Sequence, residues 1–176
     1  TGLLDNLKLR RSTYIIFILW GMVAFFVASS IFKSQAIRIS FSINDGRLLA
    51  GLLRGGLLLL VYVVFTVFSS RLAIAIPGFL YFGILGSYLW QLTLVAFSRN
   101  WRGIAIDLLF IMSYIILIYC ATMMAFQIIQ VTRKKKSHYY FSKWGTAVKR
   151  VIRAHWLSLI VVTGAYVVLW SVFSLV

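Results

Sequence analysis

The amino-acid sequence predicts an all-α, polytopic membrane helix bundle of about five transmembrane helices, with a cytoplasmic basic amphipathic helix beside it. Three observations predict it. Hydrophobic residues make up 62% of the 176, with a mean hydropathy of +0.96, which leaves too little polar side chain to cover a soluble globule. The apolar runs reach the roughly 20 residues that cross a hydrocarbon core at about 1.5 Å each. The 18 Lys and Arg residues, set against the three acids Asp5, Asp45 and Asp107, stand mostly between those runs.

Five spans follow from hydropathy, over residues 14–32, 48–69, 72–97, 104–131 and 156–176, in one transmembrane domain. The first is flanked by basic residues in the manner of a signal peptide, but no small-residue cleavage site follows it, so a retained anchor is expected. The second span is the least regular. Its uninterrupted apolar part begins at Gly55, so Arg54 is expected to lie at its end and snorkel, or the helix to start as an interfacial segment. Little more than Ser70 and Arg71 separates the second span from the third. A tight antiparallel hairpin is expected if both cross, a re-entrant element otherwise.

Assigning the loops to alternating sides divides the 18 basic residues twelve to six, with Arg133-Lys134-Lys135-Lys136 on the richer side. Retention of Lys and Arg in the cytoplasm then predicts a multi-pass protein of a bacterial cytoplasmic membrane, its N-terminus cytoplasmic and its C-terminus external. The same basic balance implies contact with anionic head groups. Nucleic acid is not expected as a partner, since no nucleic-acid-binding motif accompanies the charge.

In the first loop Ile37, Ile39, Phe41 and Ile43 alternate with Arg38, Ser40 and Ser42, the period of an extended segment, and Asn44-Asp45-Gly46 reads as a turn. With no partner strand in view, an irregular interfacial segment is expected over a stable hairpin. Between Arg133 and Arg153 the period becomes helical. Phe141, Trp144, Val148 and Ile152 fall on one face and Lys136, Lys143 and Arg150 opposite, so a helix lying flat among head groups is expected. Lys136, Lys143, Arg150 and Trp144 are its candidate lipid- or partner-docking residues. A charged connector that only enforces topology is the alternative.

The candidates for chemistry are few. Asp107 is the one acid inside an apolar span, and with Gln91 it is a candidate intramembrane polar residue. Its place about one turn from Trp101-Arg102-Gly103 favours structural anchoring, where a carboxylate complements a helix N-terminus and reaches head groups, over a transport or proton role. His138 and His155 have no metal-ligand spacing, and no HExxH, GxSxG, paired carboxylate or Cys-His arrangement stands near a span. No enzyme activity, metal or cofactor is therefore expected. Cys120 is the only cysteine, so no intrachain disulfide can form. With no P-loop, any energy coupling must come from a separate subunit.

Glycines mark helix packing instead. Gly83 and Ser87 are four residues apart, as are Ala121 and Ala125, and Gly51 and Gly55, a spacing that lets backbones approach closely. Within Ala75-Ile-Pro-Gly-Phe-Leu-Tyr-Phe-Gly-Ile-Leu-Gly-Ser87, Pro77, the only proline, stands in the first turn or two of its span, where a missing N–H costs little. Pro77, Gly78, Gly83, Gly86 and Ser87 are the candidate packing residues. Packing within the chain is preferred over packing against a partner, although a second copy stays open.

An amphipathic lead-in to a span, this Gly/Pro-Phe opening with closely spaced glycines, and the Trp101-Arg102-Gly103 turn together resemble the stage II sporulation protein M family. The resemblance covers roughly residues 50–130 and, less closely, 14–32. It departs where Tyr81 or Phe82 replaces a basic residue before the first helix glycine, and in span four, which lacks the family's Asn and Pro positions. The resemblance implies a non-catalytic multispan protein inside a larger assembly. That assembly remodels the envelope or, in bacteriocin clusters, works with separate transporter ATPases in export or self-immunity. The expectation is therefore a membrane subunit with membrane or ATPase partners. The alternative is a permease-like subunit with its own substrate path, for which Thr66, Gln91, Thr93, Ser113, Thr122 and Gln127 are the polar candidates.

Overall fold

The computed structural model describes residues 11–31, 39–40, 45–134, 139–172 and 174–175. Over these the chain is almost entirely helical: α1 (Arg11–Ile31), α2 (Asp45–Phe65), α3 (Arg71–Phe97), α4 (Trp101–Lys134) and α5 (Tyr140–Val172). Four helices are long and apolar enough to cross a membrane: α2 with the 3-10 turn after it (Asp45–Phe68), α3, α4 and α5. The described apolar stretch of α1 runs over Ile15–Ile31. Large apolar side chains such as Ile18, Phe26, Leu53, Leu109, Leu157 and Val161 stand exposed around the bundle. In water that coat would aggregate, whereas lipid tails match it.

From α2 to α3 and from α3 to α4 the chain reverses direction through short turns. After α2 the 3-10 turn Thr66–Phe68 leads to Ser69 in the left-handed region (φ 49°), and Ser70 caps α3 by accepting from the Leu72 N–H at 3.2 Å. The turn makes α2 and α3 the tight hairpin the sequence predicts, and both helices are long and apolar enough to cross. At the opposite end Arg99 (φ 54°) turns the chain, and Asn100 Oδ1 accepts from the Gly103 N–H at 3.2 Å to start α4. The two ends of the bundle are hereafter the Ser69 end and the Asn100 end.

The central helix is α4, which contacts α2, α3 and α5. Its residues Phe110, Tyr114, Leu117, Ala121, Ala125, Ile128 and Ile129 recur at helical spacing and are buried. From α2 a single stripe, Gly51, Gly55, Leu58 and Tyr62, turns inward. Gly51 and Gly55 are needed for that approach. A Cβ on Gly51 would stand 2.9 Å from the Trp170 ring, and one on Gly55 would stand 3.3 Å from Thr163 and Tyr166.

Packing of α1 is on α3. A Cβ on Gly86 would lie 2.8 Å from Ala24 Cβ and 3.0 Å from the Gly21 carbonyl, and one on Gly83 would lie 2.9 Å from Trp20 Nε1. Trp20 stacks on Phe79 (centroids 4.4 Å apart) and its Nε1 donates to the Phe79 carbonyl at 2.8 Å. Packing within the chain thus accounts for Gly83 and Gly86. Ser87 is half-buried and returns its hydroxyl to the Ile84 carbonyl, so the close pair on α3 is Gly83 with Gly86 rather than with Ser87. Gly78 makes no tight approach, since an added Cβ would meet only the Tyr62 hydroxyl at 3.6 Å. Pro77 is buried in the second turn of α3, where it can make no hydrogen bond to the Ala73 carbonyl.

Three expectations need correction. The basic segment does not form a separate helix lying flat: α5 is one continuous helix of 33 residues that joins it to the last span. Nothing between Arg153 and Trp156 breaks a helix, and α4, with 34 residues, is long enough to pack beside the added turns. Ala147 and Val151 bury against Met124 and Ile128. In the second case, α2 begins at Asp45, so Arg54 does not lie at the helix end; of the two expectations, the one that stays open is a helix that starts ahead of the apolar run.

The third concerns the first loop, where Ile39–Ser40 forms β1 and pairs antiparallel with β2 (Ser174–Leu175), Ile39 opposite Leu175. The missing partner strand is supplied by the end of the chain. The remainder of the alternating segment, at 37–38 and 41–44, lies outside the described residues, as do Lys136 and His138.

Candidate functional site

The Asn100 end holds an aromatic cluster around one cation and one acid. Tyr88 meets Phe110 and Tyr114 edge-on at 4.9 and 5.1 Å, and Phe110 lies 5.7 Å from Tyr166 and 5.6 Å from Trp170. Tyr114 donates its hydroxyl to the Tyr81 carbonyl at 3.1 Å. Over the Trp170 ring lies the Arg54 guanidinium, 4.2 Å from the centroid, an arrangement that stabilises an in-span cation without a carboxylate.

Asp107 stands one turn before Phe110 on α4, is 0% exposed, and neither carboxylate oxygen has a hydrogen-bond partner among the described residues. That overturns the expectation that it reaches head groups, because its side chain points into the bundle and not along its rim. Gln91 on α3 is half-buried. The two candidate polar residues therefore stand on neighbouring helices, and no hydrogen bond joins them to each other through the Asp107 carboxylate.

The Ser69 end is built around the α2–α3 turn. Arg133 Nε donates to the Ser69 carbonyl at 3.2 Å, and its Nη2 donates to the same oxygen. Tyr140 donates to the Val67 carbonyl and hydrogen-bonds the Ser69 hydroxyl, while Trp144 Nε1 donates to Thr66 Oγ1 at 2.8 Å. Trp144 is therefore a structural clamp on the turn, which corrects its expected place as a docking residue. The docking face is corrected with it: α5 meets α4 through Ala147 and Val151, and Phe141 and Ile152 are exposed. Lys143 is half-buried, and Lys149, Arg150 and Arg153 are exposed on the same helix.

Between α4 and α5 runs a groove of about 570 Å³, with Arg150, Thr146, Gln127 and Gln130 among its walls. Gln127 also borders an adjoining recess of about 220 Å³, whose walls include Met123, Met124 and Leu159. At their junction Gln127 Oε1 and His155 Nε2 are 2.8 Å apart. No sequence motif foretells that pair, because its members are 28 residues apart on different helices. The Arg133 clamp was equally invisible, its partner being a carbonyl.

The polar residues proposed for a path are mostly engaged with their own backbone. Thr66, Thr93, Ser113 and Thr122 donate to the carbonyls of Val63, Leu89, Phe110 and Ile118, at 2.6 to 2.9 Å. Among the described residues no group of three or more His, Cys, Asp and Glu side chains is arranged to hold a metal. Compared with protein-family models, curated proteins and solved structures, the chain matches none.

Proposed function

We propose that this chain is a non-catalytic subunit of a multiprotein membrane assembly for export, self-immunity or envelope remodelling. It sits in a bacterial cytoplasmic membrane with its N-terminus inside. The observation that carries the reading is the basic first half of α5, where Lys149 and Arg153 stand exposed on a helix packed against α4. Asp45 and Asp107 belong to the other end of the bundle, so no described carboxylate neutralises this one. Cation retention supports a cytoplasmic Ser69 end, and the surface suits an acidic partner such as an ATPase or a second membrane subunit. The likeness to the stage II sporulation protein M family rests on the residues quoted above and leads to the same reading.

The test is crosslinking in the native membrane followed by mass spectrometry, comparing the natural chain with a Lys149→Gln/Arg153→Gln variant. Specific partner proteins should be recovered with the natural chain and be depleted with the variant at equal protein level. Recovery of the same partners with both would place docking elsewhere, and recovery of no partner would remove the subunit reading.

A second reading, a permease-like subunit, is favoured by one observation, the unpartnered carboxylate of Asp107 inside the bundle. The self-bonded hydroxyls of Thr66, Thr93, Ser113 and Thr122 favour packing over a path.

A further inference from the structure

The groove between α4 and α5 has the chemistry of a site for one anionic phospholipid, and we propose that it holds such a lipid from the leaflet at the Ser69 end. The proposal goes beyond the subunit reading and uses different side chains. Its polar part presents donors: the Arg150 guanidinium and the amides of Gln127 and Gln130. Guanidinium matches phosphate oxygens in a planar fork, and the neutral donors add direction without competing charge. No described acid shares this end of the bundle to repel a phosphate. The adjoining recess, lined by Met123, Met124 and Leu159, continues from Gln127 toward the middle of the span. A polar half that binds an anion and an apolar half in line with it fit a head group with its acyl chain, and a water-soluble anion would leave the second half empty.

Depth supports the same occupant. At His155 the composition of α5 changes: Lys143, Lys149, Arg150 and Arg153 precede it, and residues 156–172 carry no charge. Trp156, 55% exposed, is the aromatic residue expected at the boundary of the hydrocarbon. Arg150 lies five residues beyond His155, about 7.5 Å along the helix, within the head-group layer. Basic pockets between membrane helices at this depth recognise anionic head groups. Met side chains adapt to a flexible chain, which suits the apolar recess.

The experiment is native mass spectrometry of the full chain in detergent, titrated with phosphatidylglycerol, phosphatidylcholine or glycerol phosphate. One phosphatidylglycerol should be retained in preference to phosphatidylcholine, and glycerol phosphate should bind far more weakly. Arg150→Gln should reduce that retention about fivefold, the factor one surface cation contributes, and Arg150→Lys should restore most of it. Lys149→Gln, outside the groove, should leave it unchanged. Met123→Trp should lower retention by filling the recess with no change of charge, which keeps the test alive if the Arg150 variants fail to fold. Equal losses for Lys149→Gln and Arg150→Gln would overturn the site in favour of diffuse surface charge. Equal retention of phosphatidylcholine, or glycerol phosphate binding as tightly as the lipid, would overturn the choice of ligand.

Discussion

Arg54 on α2 lays its guanidinium over the indole of Trp170 on α5, 4.2 Å from the ring centroid, and that Trp170 side chain fills the space left by the missing side chain of Gly51. The contact joins two helices and provides for a charge nine residues inside a helix that begins at Asp45. A double-mutant cycle with Arg54→Gln and Trp170→Leu, read by thermal melting in detergent, should give a coupling of about 0.5–2 kcal/mol. Trp170→Phe should keep part of it. Zero coupling would mean that Arg54 reaches head groups instead.

Gly86 sets the distance between α1 and α3. Because an added Cβ would meet Ala24 Cβ at 2.8 Å and backbone atoms of Gly21 and Phe25 at 3.0 and 3.1 Å, the neighbours cannot yield by rotating a side chain. Gly86→Val should destabilise the bundle by about 1–3 kcal/mol. Gly56, with nothing within 4 Å of an added Cβ, is the control. Gly56→Ala should be neutral or stabilising by up to about 1 kcal/mol through helix propensity. Equal losses at both positions in a melting assay would contradict the α1–α3 packing.

Asp107 buries a polar group with no hydrogen-bond partner among the described residues, which costs about 1–3 kcal/mol in a folded protein. Asp107→Leu, close in size, should therefore melt at or above the natural temperature, and Asp107→Asn should remain folded. A variant that fails to accumulate would show that the carboxylate holds the bundle together through a partner. If Asp107→Asn is stable but abolishes function in cells, the permease-like reading gains over the subunit reading.

The fold was legible where a single helix carries its own pattern. Apolar length alone marked the four long spans and α1, and the small residues Gly83 and Gly86 marked the α3 face that takes α1. What escaped was decided by partners distant in sequence. Residues 140–153 carry an amphipathic period compatible with a flat interfacial helix, and only the length of α4 and its residues Met124 and Ile128 draw them upright. Trp144 looked like an interfacial anchor because its bond partner, Thr66, lies 78 residues away. The depth of Asp107 followed from the same cause, since sequence position gives distance from a helix end but not the direction in which a side chain points. Similarly, β1 looked partnerless because its partner is at 174–175.

The account rests most heavily on the antiparallel crossing of the bundle, with the basic Ser69 end inside the cell. With Cys120 replaced by Ala, single cysteines at Ser98 and Ser142, both exposed and at opposite ends, can be labelled in intact cells with a membrane-impermeant thiol reagent. The account predicts that Ser98→Cys is labelled from outside and that Ser142→Cys is labelled only after the membrane is opened. Labelling of both from the same side would contradict it.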